Sequence, residues 1–250
     1  MTKQAARHRP GKPCWFELTI TDLEKAKSFY RTLLGWDLGK SAGPHERARL
    51  RGRVVAGLVE GQPEGQPSWT VYLASDDVAA AARAIAAAGG TVVRAPEKAP
   101  GGKRAIVEDP TGGRFGLWQG VSLPGSEIFD EPGAVCWAEL SSRDPSAAAE
   151  FFKNVFGVEA ERPFSGFNYV QLSVNGKEAA GILGMTHEKR PNRGYAAWLV
   201  YFQVTKTDHA VTVAVEHGGK IVEPAEDTPF GRLAIVADPF GARLALIERG

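Results

Sequence analysis

The stretch Cys14-Trp15-Phe16-Glu17-Leu18 returns in the second half of the chain as Cys136-Trp137-Ala138-Glu139-Leu140. Each copy is followed, seven residues after its tryptophan, by an aspartate (Asp22 or Asp144) that opens a helical pattern. Working outward, Trp69-Thr70-Val71-Tyr72 matches Trp198-Leu199-Val200-Tyr201, and Gly89-Gly90 matches Gly218-Gly219. Asp109-Pro110-Thr111-Gly112 matches Asp238-Pro239-Phe240-Gly241. A self-similarity this extended sets the architecture before any single element is read. The matching divides the chain into a polar tail at 1–12, a first domain at 13–120, a linker at 121–133 and a second domain at 134–250. The linker reading rests on turn residues, Leu123-Pro124-Gly125-Ser126 and Glu131-Pro132-Gly133.

Each half repeats its own order of elements. Trp15 to Ile20 alternates as a strand, with Phe16, Leu18 and Ile20 on one face. Asp22 is a suitable N-cap, and Leu23, Ala26, Tyr30, Leu33 and Leu34 fall at helical spacing until Gly35 stops the helix. Short strands are expected around Trp36–Gly39, His45–Arg51 and Val54–Val59. A strand Trp69–Ala74, an Ala-rich helix Val78–Ala88 and strands near Thr91–Arg94, Arg104–Val107 and Arg114–Trp118 complete the half. The spacing therefore predicts βαβββ twice per half and four such modules in all.

Composition narrows the function. Of the 250 residues, 43% are apolar and 24% charged, an ordinary globular balance. Thirty basic against 29 acidic residues give a formal +1, so no basic surface for nucleic acid or membrane is expected. Two cysteines fit a reducing compartment. The basic tail lacks the apolar core of a signal peptide, and no run reaches the ~18 apolar residues of a membrane span. The expectation is a cytoplasmic protein, monomer or homodimer, whose partner is a small molecule.

The run Asp22-Leu23, Ser28-Phe29-Tyr30, Leu34-Gly35-Trp36 resembles the first helix of the vicinal oxygen chelate superfamily. That superfamily contains glyoxalase I, bleomycin-resistance proteins and extradiol dioxygenases. Gly89-Gly90 and Asp109-Pro110-Thr111-Gly112 resemble its second-module signature, and the marks recur at Phe151-Phe152, Phe156-Gly157, Gly218-Gly219 and Asp238-Pro239. The tandem form is similar to bacterial glyoxalase-like proteins labelled as hydroxylases. The resemblance implies an α+β fold in which four βαβββ modules pair into two glyoxalase/bleomycin-resistance-like domains with cupped mixed sheets. In the enzymes of this superfamily a divalent metal sits in the cup.

Carried over by spacing, the metal-ligand positions of the first domain are Trp15, Ala56-Gly57-Leu58, Thr70 and Gly116. Those of the second are Trp137, Ala180-Gly181, Leu199 and Ala245. None carries a side chain suited to a divalent ion, so no metal and no cofactor are expected. His8, His45, His187, His209 and His217 are isolated in sequence, a weak metal signal.

Strand alternation lists what shares the face of those positions. In the first domain these are Trp15, Glu17, Thr19, Thr70, Tyr72, Arg114, Gly116 and Trp118, with open volume expected at Ala56, Gly57 and Gly116. In the second they include Trp137, Glu139 and Tyr201, with Leu199 and Ile247 expected to crowd the space. Ligand-binding candidates are therefore Trp15, Glu17, Thr70, Tyr72, Gly116, Trp118, Trp137, Glu139 and Tyr201. Flat aromatics beside a carboxylate suit a planar ligand. The leading expectation is a metal-free binding protein that sequesters a small aromatic metabolite or drug. Two alternatives stand beside it. One is an enzyme with Glu17 as base and Tyr72 as proton donor, or with a metal site elsewhere, and the other is a scaffold with both cups filled. Asp109-Pro110 and Asp238-Pro239 read as turn chemistry, Lys103-Arg104 and Lys189-Arg190 as solvated charges, and Cys14 and Cys136 as buried thiols.

Overall fold

A computed structural model of the chain describes residues 8–39, 43–163, 168–185 and 196–250. His187 and Lys189-Arg190 lie outside these segments. The first half contains β1 (Pro13–Ile20), α1 (Leu23–Leu34), β2 (His45–Leu50), β3 (Arg53–Glu60), β4 (Trp69–Ala74), α2 (Val78–Ala87), β5 (Thr91–Ala99), β6 (Gly102–Glu108) and β7 (Arg114–Gly120). The second contains β8 (Val135–Ser142), α3 (Pro145–Phe156), β9 (Glu159–Glu161), β10 (Tyr169–Val174), β11 (Lys177–Gly184) and β12 (Ala197–Gln203). It closes with α4 (Thr207–Glu216), β13 (Lys220–Thr228), β14 (Gly231–Ala237) and β15 (Arg243–Glu248).

The fold is α+β with two mixed sheets. One has seven strands in the order β2-β3-β1-β4-β7-β6-β5, and the other eight, β13-β14-β15-β12-β8-β11-β10-β9. Among the described residues three modules show all of βαβββ, and in the first the expected strand at Trp36–Gly39 is present as an isolated bridge between Asp37 and Arg49.

The helices start and stop where the sequence places their caps. Asp22 accepts from the Lys25 amide at 2.9 Å and Asp144 from the Ala147 amide at 2.9 Å, meeting donors that a helix N-terminus leaves unpaired. Gly35 and Gly157 close α1 and α3 in the left-handed region, with φ of 70° and 67°. Helix α4 lacks this device: Lys206 occupies its N-cap without a side-chain bond.

The chain packs into two compact units, each drawn from both halves of the sequence. The first comprises the residues up to Trp15 with Thr70–Gly125 and Ala138–Trp198, and the second comprises Phe16–Trp69, Ser126–Trp137 and Leu199–Gly250. Each unit has its own aromatic nest. In the second unit Tyr30 stacks on Trp36 at 5.3 Å and meets Trp69 edge-on at 5.5 Å, while the Trp36 indole N–H donates to the Gly133 carbonyl at 2.7 Å. In the first unit Phe152 stacks on Phe156 at 6.3 Å and meets Trp198 edge-on at 6.0 Å.

Tyr30 and Phe152 hold the same place in the repeat, eight residues after Asp22 and Asp144. The Tyr30 hydroxyl donates to Asp238 Oδ2 at 2.8 Å. In the first unit Asp109, the repeat mate of Asp238, has an Oδ2 that is buried without a partner. Phe152, which holds the position of Tyr30 in the repeat, has no hydroxyl to offer it. Both aspartates otherwise serve their turns. Asp109 Oδ1 accepts from the Thr111 amide and hydroxyl at 2.6 Å, and Asp238 Oδ1 accepts from the Phe240 and Ala242 amides. Burial pushes both carboxyls above the usual carboxylate range, against those bonds.

Candidate functional site

In the first unit, three of the aromatic residues singled out in the sequence come together. Trp15 stacks on Trp118 with ring centroids 6.1 Å apart, and Tyr72 meets Trp118 edge-on at 6.0 Å. All three rings are buried, each 2% exposed. The Trp118 indole N–H is committed to the Leu123 carbonyl at 2.9 Å, which holds the ring against the chain that follows β7. Tyr72 lies in register with Gly116. A Cβ added to Gly116 would fall 2.1 Å from Tyr72 Cδ1. The volume expected to be open at Gly116 is therefore occupied by the Tyr72 ring, which needs a glycine beneath it. Thr70 sits at the start of β4, half-buried.

In the second unit, the half-buried Glu17 and Thr19 of β1 alternate with the buried Leu18 and Ile20, which face the other way. Parallel pairing places Glu17 opposite Gly57 and Thr19 opposite Val59. Antiparallel pairing then places Arg47 opposite Gly57 and His45 opposite Val59. Two rows thus cross the three strands on one face, Glu17–Gly57–Arg47 and Thr19–Val59–His45. These six positions include no large apolar side chain, and Glu17, Thr19, His45 and Arg47 are all half-buried. On the opposite face, Leu18, Ile20, Leu58, Ala48 and Leu50 are buried. Arg47 and His45 were not among the residues read from sequence as candidates. The alternation within His45-Glu46-Arg47-Ala48 was visible, but its alignment with Glu17 depends on the β2–β3 register.

The matching row of the third module lies in the first unit and is closed. Glu139 pairs with Gly181, and Gly181 with Gln171. A Cβ on Gly181 would fall 1.9 Å from the Tyr169 hydroxyl, so that side chain covers the glycine. Glu139 is buried at 7% exposure. In the second unit Tyr201, Leu199, Cys136, Ile235, Ala245 and Ile247 form one hydrophobic cluster with Trp137 packed against it. Leu199 and Ile247 do crowd these positions.

Neither cysteine is poised as a nucleophile. Burial raises both thiols, that of Cys136 to about 12, and Cys136 Sγ contacts the Tyr201 carbonyl. The side chains at the family's metal positions do not fit a divalent ion. Among the described residues no group of three or more His, Cys, Asp or Glu side chains could hold one. Among those residues, too, no helix is long and apolar enough to cross a membrane.

The sequence matches the family model of the glyoxalase/bleomycin resistance protein/dioxygenase superfamily twice, over residues 13–117 and 135–246. The chain belongs to this superfamily. It is 32% identical to “Putative glyoxylase CFP32” of Mycobacterium bovis, with 97% of each chain covered. It is also 32% identical to “Anthracycline biosynthesis protein DnrV” of Streptomyces peucetius, covering 97% of this chain and 94% of that one. Among solved structures it is similar in fold to the Mn(II)-bound glyoxalase from Novosphingobium aromaticivorans. That match has a TM-score of 0.67 at 18% identity and covers 96% of this chain and 82% of the other. The 2,3-dioxygenase LapB from Pseudomonas sp. KL28 matches with a TM-score of 0.67 at 16% identity, covering 98% and 94%.

Proposed function

We propose that the chain binds a small aromatic molecule through its first-domain residues and does so without the divalent ion of its enzymatic relatives. The observation that carries this reading is the donor set. Where the family's metal ligands would stand, this chain has Trp15, Ala56-Gly57-Leu58, Thr70 and Gly116, and none of these offers the imidazole, carboxylate or thiolate that such an ion takes. Trp15, Tyr72 and Trp118 form an aromatic group of the kind that stacks on a planar ring, and because each is 2% exposed and packed on a neighbour, the ligand enters by displacing one of them. The printed name of the Streptomyces relative ties that protein to the biosynthesis of anthracyclines, which supports a polycyclic aromatic ligand class for this chain.

The test is titration of the purified chain with a planar aromatic such as 1,8-dihydroxyanthraquinone, following tryptophan fluorescence and thermal midpoint. Saturable quenching with a matching rise in midpoint is expected, along with a weaker response in Trp118→Ala. No quenching and no thermal shift would overturn the reading. An enzymatic reading, with Glu17 as general base, is favoured by the half-buried carboxylate of Glu17 on its sheet face. Turnover of an aromatic substrate that survives Glu17→Gln would dispose of it.

A further inference from the structure

The described end of the polar tail, residues 8–12, is fastened within the first unit at three places. The Gly11 amide donates to the Ala74 carbonyl at 3.0 Å, and the Ala74 amide donates to the Lys12 carbonyl at 2.9 Å. These two bonds tie the tail to the last residue of β4. Gly11 is buried with φ of 80°, and a Cβ there would fall 2.8 Å from Phe156 Cβ and 2.9 Å from Val158 Cγ1. Its backbone thus lies directly on the end of α3. Arg9 Nε and Nη1 donate to the Asn175 side-chain oxygen at 2.9 and 3.2 Å, in the turn between β10 and β11. The Lys12 amide closes a turn on the Arg9 carbonyl at 3.1 Å, which joins the three anchors. Chain ends fray unless something ties them down, and here β4, α3 and the β10–β11 turn do so.

We propose that residues 8–12 are a clasp whose opening admits the ligand to the rings of Trp15, Tyr72 and Trp118. This inference rests on the aromatic-ligand reading above and names the step that controls entry. Trp118 is the central ring: it contacts both others, and its indole N–H is held by the Leu123 carbonyl. Tyr72 lies within β4, packed over Gly116. Trp15 stands four residues after Gly11, near the start of β1. Releasing the clasp lets that strand fray from its end, a far cheaper opening than parting a sheet in its middle. Trp15 is therefore the ring that leaves, and the clasp sets how often it does.

The test is stopped-flow mixing of the full chain with 1,8-dihydroxyanthraquinone, following tryptophan quenching. In the unaltered chain the observed rate should reach a plateau as the ligand is raised, because opening precedes binding. Gly11→Ala should lift that plateau about tenfold and speed hydrogen exchange at the Ala74 amide. Arg9→Ala trims an exposed side chain, so it folds even if Gly11→Ala does not, and should shift both readouts in the same direction. Asp22→Ala removes the cap of α1 in the second unit and leaves the clasp alone, so its plateau should match that of the unaltered chain. A rate that climbs without a plateau, a plateau that neither clasp variant lifts, or one that Asp22→Ala lifts equally would overturn the clasp while the aromatic-ligand reading stands. If neither the unaltered chain nor the variants are quenched, that reading falls and the clasp with it.

Discussion

Phe152→Tyr should stabilise the protein, an unusual outcome for a polar atom added to a buried site. Asp109 Oδ2 is buried without a partner, and a buried acceptor left in that state costs about 1–3 kcal/mol. The repeat supplies the remedy, since Tyr30 in the same nest position donates to Asp238 Oδ2 at 2.8 Å. The surroundings are alike. Tyr30 has a stacked ring at 5.3 Å and an edge-on tryptophan at 5.5 Å, and Phe152 has the same pair at 6.3 and 6.0 Å. A hydrogen bond to a charged acceptor is worth about 1.5–3 kcal/mol, and fitting one oxygen into a packed nest costs about 1 kcal/mol or more. The net expectation is a gain of about 1 kcal/mol, or about 3 °C in thermal midpoint for a chain of this size.

The gain carries a pH signature. Burial raises the Asp109 carboxyl in the folded state, whereas the unfolded chain has an ordinary value of about 3.9. The stability that this group contributes is thus fully present below the unfolded value and is lost as pH rises through the folded one. A tyrosine hydroxyl favours the ionised form and so recovers part of that loss. The difference between Phe152→Tyr and the unaltered chain should be small near pH 4 and grow toward pH 7, measured by thermal unfolding in low-salt buffer. A midpoint that falls at pH 7, or a difference that does not depend on pH, would refute the pairing of Phe152 with the Asp109 orphan.

Other substitutions test neighbouring parts of the account. Tyr30→Phe orphans Asp238 Oδ2 and should cost about 1–3 kcal/mol by urea unfolding, the mirror image of the first result. Gly116→Ala drives a methyl into the Tyr72 ring and should destabilise by about 1–3 kcal/mol, with a change in tryptophan fluorescence as Trp118 shifts. Asp22→Ala removes the cap of α1 and should cost about 1 kcal/mol. The thiols of Cys14 and Cys136 should stay unreactive toward a chromogenic disulfide reagent at pH 8 until urea is added, because burial raises both.

The repeat made most of this fold legible. Asp22, Gly35, Asp144 and Gly157 mark helix ends by chemistry local to the chain, so no tertiary knowledge was needed to place α1 and α3. The superfamily followed from the same residues. What sequence could not supply was the consequence of side chains meeting at long range. Gly116 read as empty space because nothing near it in sequence fills it, whereas Tyr72 reaches it from β4 through a parallel pairing. Gly181 is closed in the same way by Tyr169 from β10. The compact units also draw on both halves, so the link from Tyr30 to Asp238, 208 residues apart, left no local trace. Arg47 escaped notice for a related reason, since a residue on β2 faces Glu17 only once two successive registers are known.

The metal content of the tag-free chain, purified without chelator and measured by elemental mass spectrometry, tests the central claim most directly. The residues at these positions, Trp15, Ala56-Gly57-Leu58, Thr70 and Gly116, predict less than about a tenth of a divalent ion per chain. One or two tightly held ions per chain would contradict the account and point to a donor set other than the one these positions define.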